Sequence, residues 1–345
     1  VHWSVFGEFL PSLNTQDEID RLRSEGFAID RFASRYRYKS TQDILEPGVI
    51  SMLDALDQYA GLSQVILGSV EKAVSDTSNL LLEILLNKQD GLDFFRFLPK
   101  DEIASFSRNV LLSRLSGEPL SLVSSTCPDY IPRTYQLRGG VGLFAERTLV
   151  AASKLRDLFE KYNVSFRLEM HLADGDVADP SSLEATGESR ASFIEKIDSS
   201  VLAIRHRIRE LGMQTYVSVL PMSNLFEGIA SYAQAHHNQK ESIAKLYAQS
   251  NRKVASAVKS LTQERKQLGD FDAIEHADLQ FKLVIAELAG YSAYGHKIAG
   301  SSLIVSPGAK SVVPAYNFGL QGSRVSPVVY VQNNLNRKNS SIFDD

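Results

Sequence analysis

An α/β fold, a mostly parallel sheet flanked by helices and preceded by an all-helical region, is what the 345-residue sequence predicts. Three features predict it. Residues 15–115 carry apolar side chains at three- and four-residue spacing. From residue 116 onward, short apolar runs alternate with long amphipathic segments. Each run ends in small or polar residues, as buried parallel strands do.

Taken in order, TQDEIDRLRSEG, EPGVISMLDALDQYAG, VEKAVSDTSNLLLEILLNK and PKDEIASFSRNVLLSRLSG read as helices punctuated by Gly or Pro. In the second, Ile50, Leu53, Leu56 and Tyr59 share one face, which is a packing surface. SGEPLSLVSSTCPDY is the first strand and its exit loop. The glycine-containing LRGGVG and the helix LFAERTLVAASKLRDLFEKY follow it. Next come the strand VSFRLEMHLADGD, the helix ESRASFIEKIDSSVLAIRHRIRELG, the strand QTYVSVLP and a long helical region over about 225–298. SSLIVSP and SPVVYVQ supply the last apolar runs. Strands alternating with helices imply right-handed crossovers, a parallel sheet and a Rossmann-like arrangement. The expected division is a helical N-terminal domain over 1–115, a Rossmann-like catalytic domain over 116–335 and a polar tail over 336–345.

Hydrophobic residues make up 43% and charged residues 23% of the chain, and the formal net charge is −4. These are values of an ordinary globular protein, and they disfavour bulk nucleic acid as a partner while leaving room for an RNA-linked substrate. Cys127 is the single cysteine, so the chain has no intramolecular disulfide and no cysteine-based zinc site. The opening VHWSVFGEFLPSLN lacks a basic stretch followed by a long apolar one, and no segment reaches about 18 uninterrupted apolar residues. The expectation is a cytoplasmic protein that acts on a small molecule away from membranes.

Ligands of open α/β sheets bind beyond the carboxyl ends of the strands. That rule converts strands into candidate residues. The first strand delivers Ser124, Ser125, Thr126, Cys127, Asp129 and Tyr130, hydroxyl and thiol groups suited to hydrogen-bonding a substrate. The second delivers His171 and the acids Asp174, Asp176 and Asp179. Asp174 lies closest to the strand and is the first candidate for binding or acid–base work, shared with Tyr130 and His171. The third delivers Pro221, Ser223 and Asn224, and the fourth Ser306, Gly308 and Lys310. Arg138 in RGGVG, with Arg133 nearby, suits a phosphate or carboxylate beside helix amides, and Lys310 suits an anion at the same edge. Asp174 and Asp176 are also candidate ligands for Mg²⁺, although nothing in the sequence fixes a full set of donors. The histidines of AQAHHNQKE, His236 and His237, fit a solvated polar helix better than a metal site, as do Glu275, His276 and Asp278 at a helix start.

With those residues placed, GLFAERTLVAASKL at 142–155 and DGDVAD at 174–179 resemble the isocyanide synthases, Rossmann-like enzymes with a helix of E-x-x-A-L-x-x-L character and a strand ending in a D-G-x-V-x-x-D type motif. The resemblance spans about residues 118–180. It implies conversion of an amino-acid amine with a sugar phosphate. The spacing to the last aspartate is one residue short, and SSTCPDY differs from that family's loop. Ser124, Ser125 and Tyr130, with Ala173 and Asp174, are similar instead to the strand ends of the cyclodipeptide synthases. Three function classes follow: a small-molecule synthase or transferase acting on an amino-acid-derived substrate, a metal-assisted nucleotide or nucleotide-sugar transferase, and a non-enzymatic interaction or regulatory protein on the same scaffold.

Overall fold

The computed structural model describes residues 67–86, 100–126, 141–174, 189–268, 276–307 and 310–330, with isolated positions between 47 and 55, 179 and 187, and 271 and 274. After the helical positions between 47 and 55, the first helices with described bounds are α1 (Leu67–Leu86) and α2 (Lys100–Ser116). Then follow β1 (Leu120–Thr126), α3 (Leu143–Lys161), β2 (Phe166–Leu172), α4 (Arg190–Glu210) and β3 (Val217–Pro221). A 3-10 turn, Met222–Phe226, leads into α5 (Ile229–Ala248), α6 (Arg252–Leu268) and α7 (Ala277–Lys297). The chain continues through β4 (Leu303–Ser306), 3-10 helices at Lys310–Asn317 and Gly322–Arg324, and β5 (Val328–Tyr330). The long helical stretch expected over 225–298 is thus three helices. Asn251 separates the first two, its side-chain oxygen accepting the amides of Lys253 and Val254.

The five strands form one sheet in the order β3-β2-β1-β4-β5, and every pairing is parallel. The expected mostly parallel sheet is therefore wholly parallel. Strand order runs outward from β1 to β3 on one side and restarts at β4 on the other, so the reversal falls between β1 and β4.

Alternation along the strands divides the interior in two. Leu122, Leu168, Met170, Val219 and Val305 turn to one face, where they meet α3 and the buried stripe Phe193, Ile197, Val201, Ile204 and Ile208 of α4. Leu80, Leu81, Ile103, Phe106 and Val110 of α1 and α2 belong to that same cluster. Val123, Ile304 and Val328 turn to the opposite face and pack with residues of α5, α6 and α7. β2 contributes no apolar residue to this second cluster. Its side chains there are Arg167 and Glu169, both exposed, and His171, and beside them on β3 Ser218 is also exposed.

On each side of the sheet a close contact joins the helical elements to one another. Arg207 of α4 meets Glu146 of α3 through two of its nitrogens, at 2.7 and 3.1 Å, which ties the two helices on one face together. On the other face, Gly295 of α7 lies so close to the 3-10 helix at 310–317 that an added Cβ would stand 1.8 Å from the Tyr316 carbonyl oxygen.

Candidate functional site

β1 begins Leu-Ser-Leu-Val and ends Ser-Ser-Thr, and its last three residues are 0%, 4% and 1% exposed. Burying hydroxyls where valine or alanine would fit costs free energy unless they are used. They lie at the carboxyl edge, next to the reversal of strand order. In register, Ser125 stands beside His171 of β2, and Thr126 beside Leu172. The Thr126 carbonyl accepts the Ala173 amide at 2.7 Å, which brings Asp174 to the same edge.

The two faces at this edge differ. On the α3 face, the Ser124 and Thr148 hydroxyls are 3.2 Å apart, and Thr148 also donates to the Phe144 carbonyl at 3.0 Å. On the α7 face, His171 Nδ1 and the Tyr294 hydroxyl are 2.8 Å apart, and the Tyr316 hydroxyl donates to Ser306 at 3.4 Å. His171 Nε2 lies 3.6 Å from the Glu169 carboxylate. Burial pushes the His171 pKa down to about 4. Burial first, then the proximity of Tyr316 and Glu169, raises the Tyr294 hydroxyl well above the ordinary tyrosine value. Both groups are neutral at physiological pH.

These shifts predict an acid-sensitive term in stability. The unfolded chain protonates His171 near pH 6.5, the folded chain only near 4. The stabilisation is complete above 6.5 and is lost as pH falls towards 4. A titration of the ring followed by NMR should show a neutral imidazole at pH 5. A midpoint near 6.5 in folded protein would contradict the buried His171–Tyr294 pairing.

Asp174 is 4% exposed, and its Oδ1 accepts the Ser223 amide at 3.0 Å. The bond joins the exit of β2 to the exit of β3. Ser223 is itself buried, whereas Asn224 is exposed. Asp179 is buried as well. It accepts Lys240 of α5 at 2.8 Å and lies 3.9 Å from His236 Nδ1. His236 corrects an expectation: it is not solvated but 8% exposed, with Nε2 bonded to the Ala286 carbonyl at 2.8 Å. Its neighbour His237 is exposed as expected and pairs with Glu241 at 3.2 Å.

The structure therefore brings Ser124, Ser125, Thr126, His171, Asp174 and Ser223 to one edge and leaves Asn224 in solvent. Lys310 opens the 3-10 helix after β4, with its side chain outside the described part. Cys127, Asp129, Tyr130, Arg133, Arg138, Asp176 and Gly308 also lie outside the described residues. Among the described residues no group of three or more His, Cys, Asp or Glu side chains is placed to hold a metal ion. No described helix is long and apolar enough to cross a membrane. Sequence reasoning missed Thr148, Tyr294 and Tyr316. Tyr291 and Tyr294, three residues apart just before Gly295, were the available signal of a polar-tipped aromatic face turned inward.

No family model and no curated protein matches the chain. Among solved structures, the fold matches the crystal structure of the PvcA protein from Pseudomonas aeruginosa at a TM-score of 0.47 and 18% identity. The match covers 74% of this chain and 83% of that one.

Proposed function

We propose that the protein is a small-molecule synthase or transferase acting on an amino-acid-derived or similarly polar substrate at the carboxyl edge of its parallel sheet. One observation carries the reading: Ser124, Ser125, Thr126, His171, Asp174 and Ser306 are all buried at that edge, next to the reversal between β1 and β4. Ser124, His171, Asp174 and Ser306 are held by partners within the protein, and a pre-organised polar cluster beside the reversal of strand order is where ligands of open α/β sheets bind. In this reading Asp174 and the Ser124–Tyr130 segment bind or polarise the substrate, and Arg138 or Lys310 meets an anionic group. Acid–base work falls to Asp174, Tyr130 or His171, the last acting from beneath the edge because its ring is fully buried. The reading rests on the buried residues of this edge and their place in the sheet.

The test is Asp174→Asn. Asparagine keeps an oxygen for the Ser223 amide and removes the charge, so the fold should persist. Native mass spectrometry of the full chain should show a small ligand on the wild type. Binding of that ligand should weaken by about 10- to 100-fold in the variant, as expected for one lost charge-assisted hydrogen bond. Equal retention by the two proteins would sink the assignment of Asp174.

A further inference from the structure

The Thr126 hydroxyl is 1% exposed and has no hydrogen-bond partner among the described residues. Its direction follows from its neighbours. Ser124 shares its face of β1 and meets Thr148, in the second turn of α3. Two residues of strand advance about 6.6 Å and one helical turn about 5.4 Å, and α3 runs back against β1. Thr126 therefore faces the first turn of α3, at Phe144 and Ala145. The residue capping that helix is Gly142, which offers no side-chain acceptor to the first-turn amides.

Charge at this point favours an anion. The one acid of the first turn, Glu146, is neutralised by Arg207. Arg147, in the next turn, is 5% exposed with its guanidinium carbon 5.5 Å from the Phe144 ring centre, so its charge is engaged beside that ring and the dipole of α3 is what favours an anion here. A buried hydroxyl without a partner gives up its hydration and recovers nothing for it. Valine has nearly the same shape and would avoid that cost, so the hydroxyl at 126 works against folding.

We propose that the N-terminus of α3 and the Thr126 hydroxyl form a subsite for an oxyanion of the substrate, a carboxylate or a phosphate. The subsite rests on the small-molecule reading above and adds the group by which the substrate is oriented. Thr126 ends β1, and Asp174 lies two residues beyond the end of the adjacent strand β2. A substrate anchored by its oxyanion at α3 therefore presents its other polar groups to Asp174.

The test uses the full chain, inorganic phosphate and acetate as separate probes, and the variants Thr126→Val and Thr126→Ser. One of the two anions should raise the unfolding midpoint of the wild type, and which one does so identifies the source of the oxyanion. Thr126→Ser should keep the response. Thr126→Val should weaken the apparent affinity about tenfold, while being at least as stable as the wild type without anion. The subsite is refuted if neither anion binds the wild type, if Thr126→Val binds as tightly, or if Thr126→Val fails to fold. A ligand carried through purification that survives Thr126→Val but is lost in Asp174→Asn would overturn the subsite and leave the proposed function standing. Anion binding that depends on Thr126, with no effect of Asp174→Asn on any retained ligand, would support the subsite and count against the Asp174 assignment.

Discussion

Gly295→Ala is expected to destabilise the protein by about 3 kcal/mol or more, enough to prevent folding if the starting stability is ordinary. The added carbon would lie 1.8, 2.6 and 2.8 Å from the carbonyl oxygen, carbonyl carbon and Cα of Tyr316. These are backbone atoms, so no side-chain rotation relieves the clash. α7 or the 3-10 helix at 310–317 must move, and Tyr316 moves with it from its bond to Ser306. Gly290, on the same helix, is the control. A carbon there would find only the Tyr232 hydroxyl at 3.6 Å and a His236 ring carbon at 3.9 Å, ordinary contacts. Gly290→Ala should be neutral or stabilise by up to about 1 kcal/mol through helix propensity. Chemical denaturation of both variants decides the matter. Equal tolerance would show that α7 and the 3-10 helix do not meet so closely.

Glu102→Gln is expected to remove an alkaline loss of stability. Glu102 is buried in the first turn of α2, and its carboxyl accepts the Val328 amide at 3.2 Å and the Asn317 side-chain amide at 3.4 Å. Burial, opposed by these two bonds and assisted by the charge of Asp101, pushes its pKa up to about 8. Between pH 4.5 and 8 the folded protein holds a proton that the unfolded chain releases, so stability declines as pH rises through that window. Glutamine resembles the protonated acid. Its carbonyl keeps the Val328 bond, and only the long contact to Asn317 is lost. The two proteins should be about equally stable near pH 4.5, and the variant should be more stable by roughly 2–4 kcal/mol at pH 8. His171 has the opposite slope below pH 6.5, so the interval from 6.5 to 8 shows the effect most cleanly. Parallel stability curves for the two proteins would mean that Glu102 is ionised in the fold.

The local parts of the fold were legible. β2 could be read from strict alternation in FRLEMHL, and α4 from apolar residues recurring at helical spacing along a stripe that the structure buries. Strand order was not legible. β1 pairs with β4 through Leu122 and Leu303, 181 positions apart, and nothing in either run names its neighbour. Without that order, the reversal between β1 and β4 could not be placed, and Asp174 just beyond β2 drew more weight than the β1 exit. Glu102 was opaque for the same reason, because its partner Val328 lies 226 residues away. His236 misled because its neighbours in sequence are polar, while burial comes from α7 packed across α5. The direction of Thr126 needed α3 to be placed, although its position at a strand end did not.

The one-sided character of β2 bears on association. A parallel sheet covered by helices over its whole area has no face to offer another molecule, but the β2–β3 half presents Arg167, Glu169 and Ser218 to solvent. Charged side chains there keep their hydration and make apolar stacking of a second copy unfavourable. β3, the outer strand on that side, is five residues long and ends in Pro221, which has no amide to extend a ladder. The bare half of the sheet is thus guarded against self-association both across its face and along its rim.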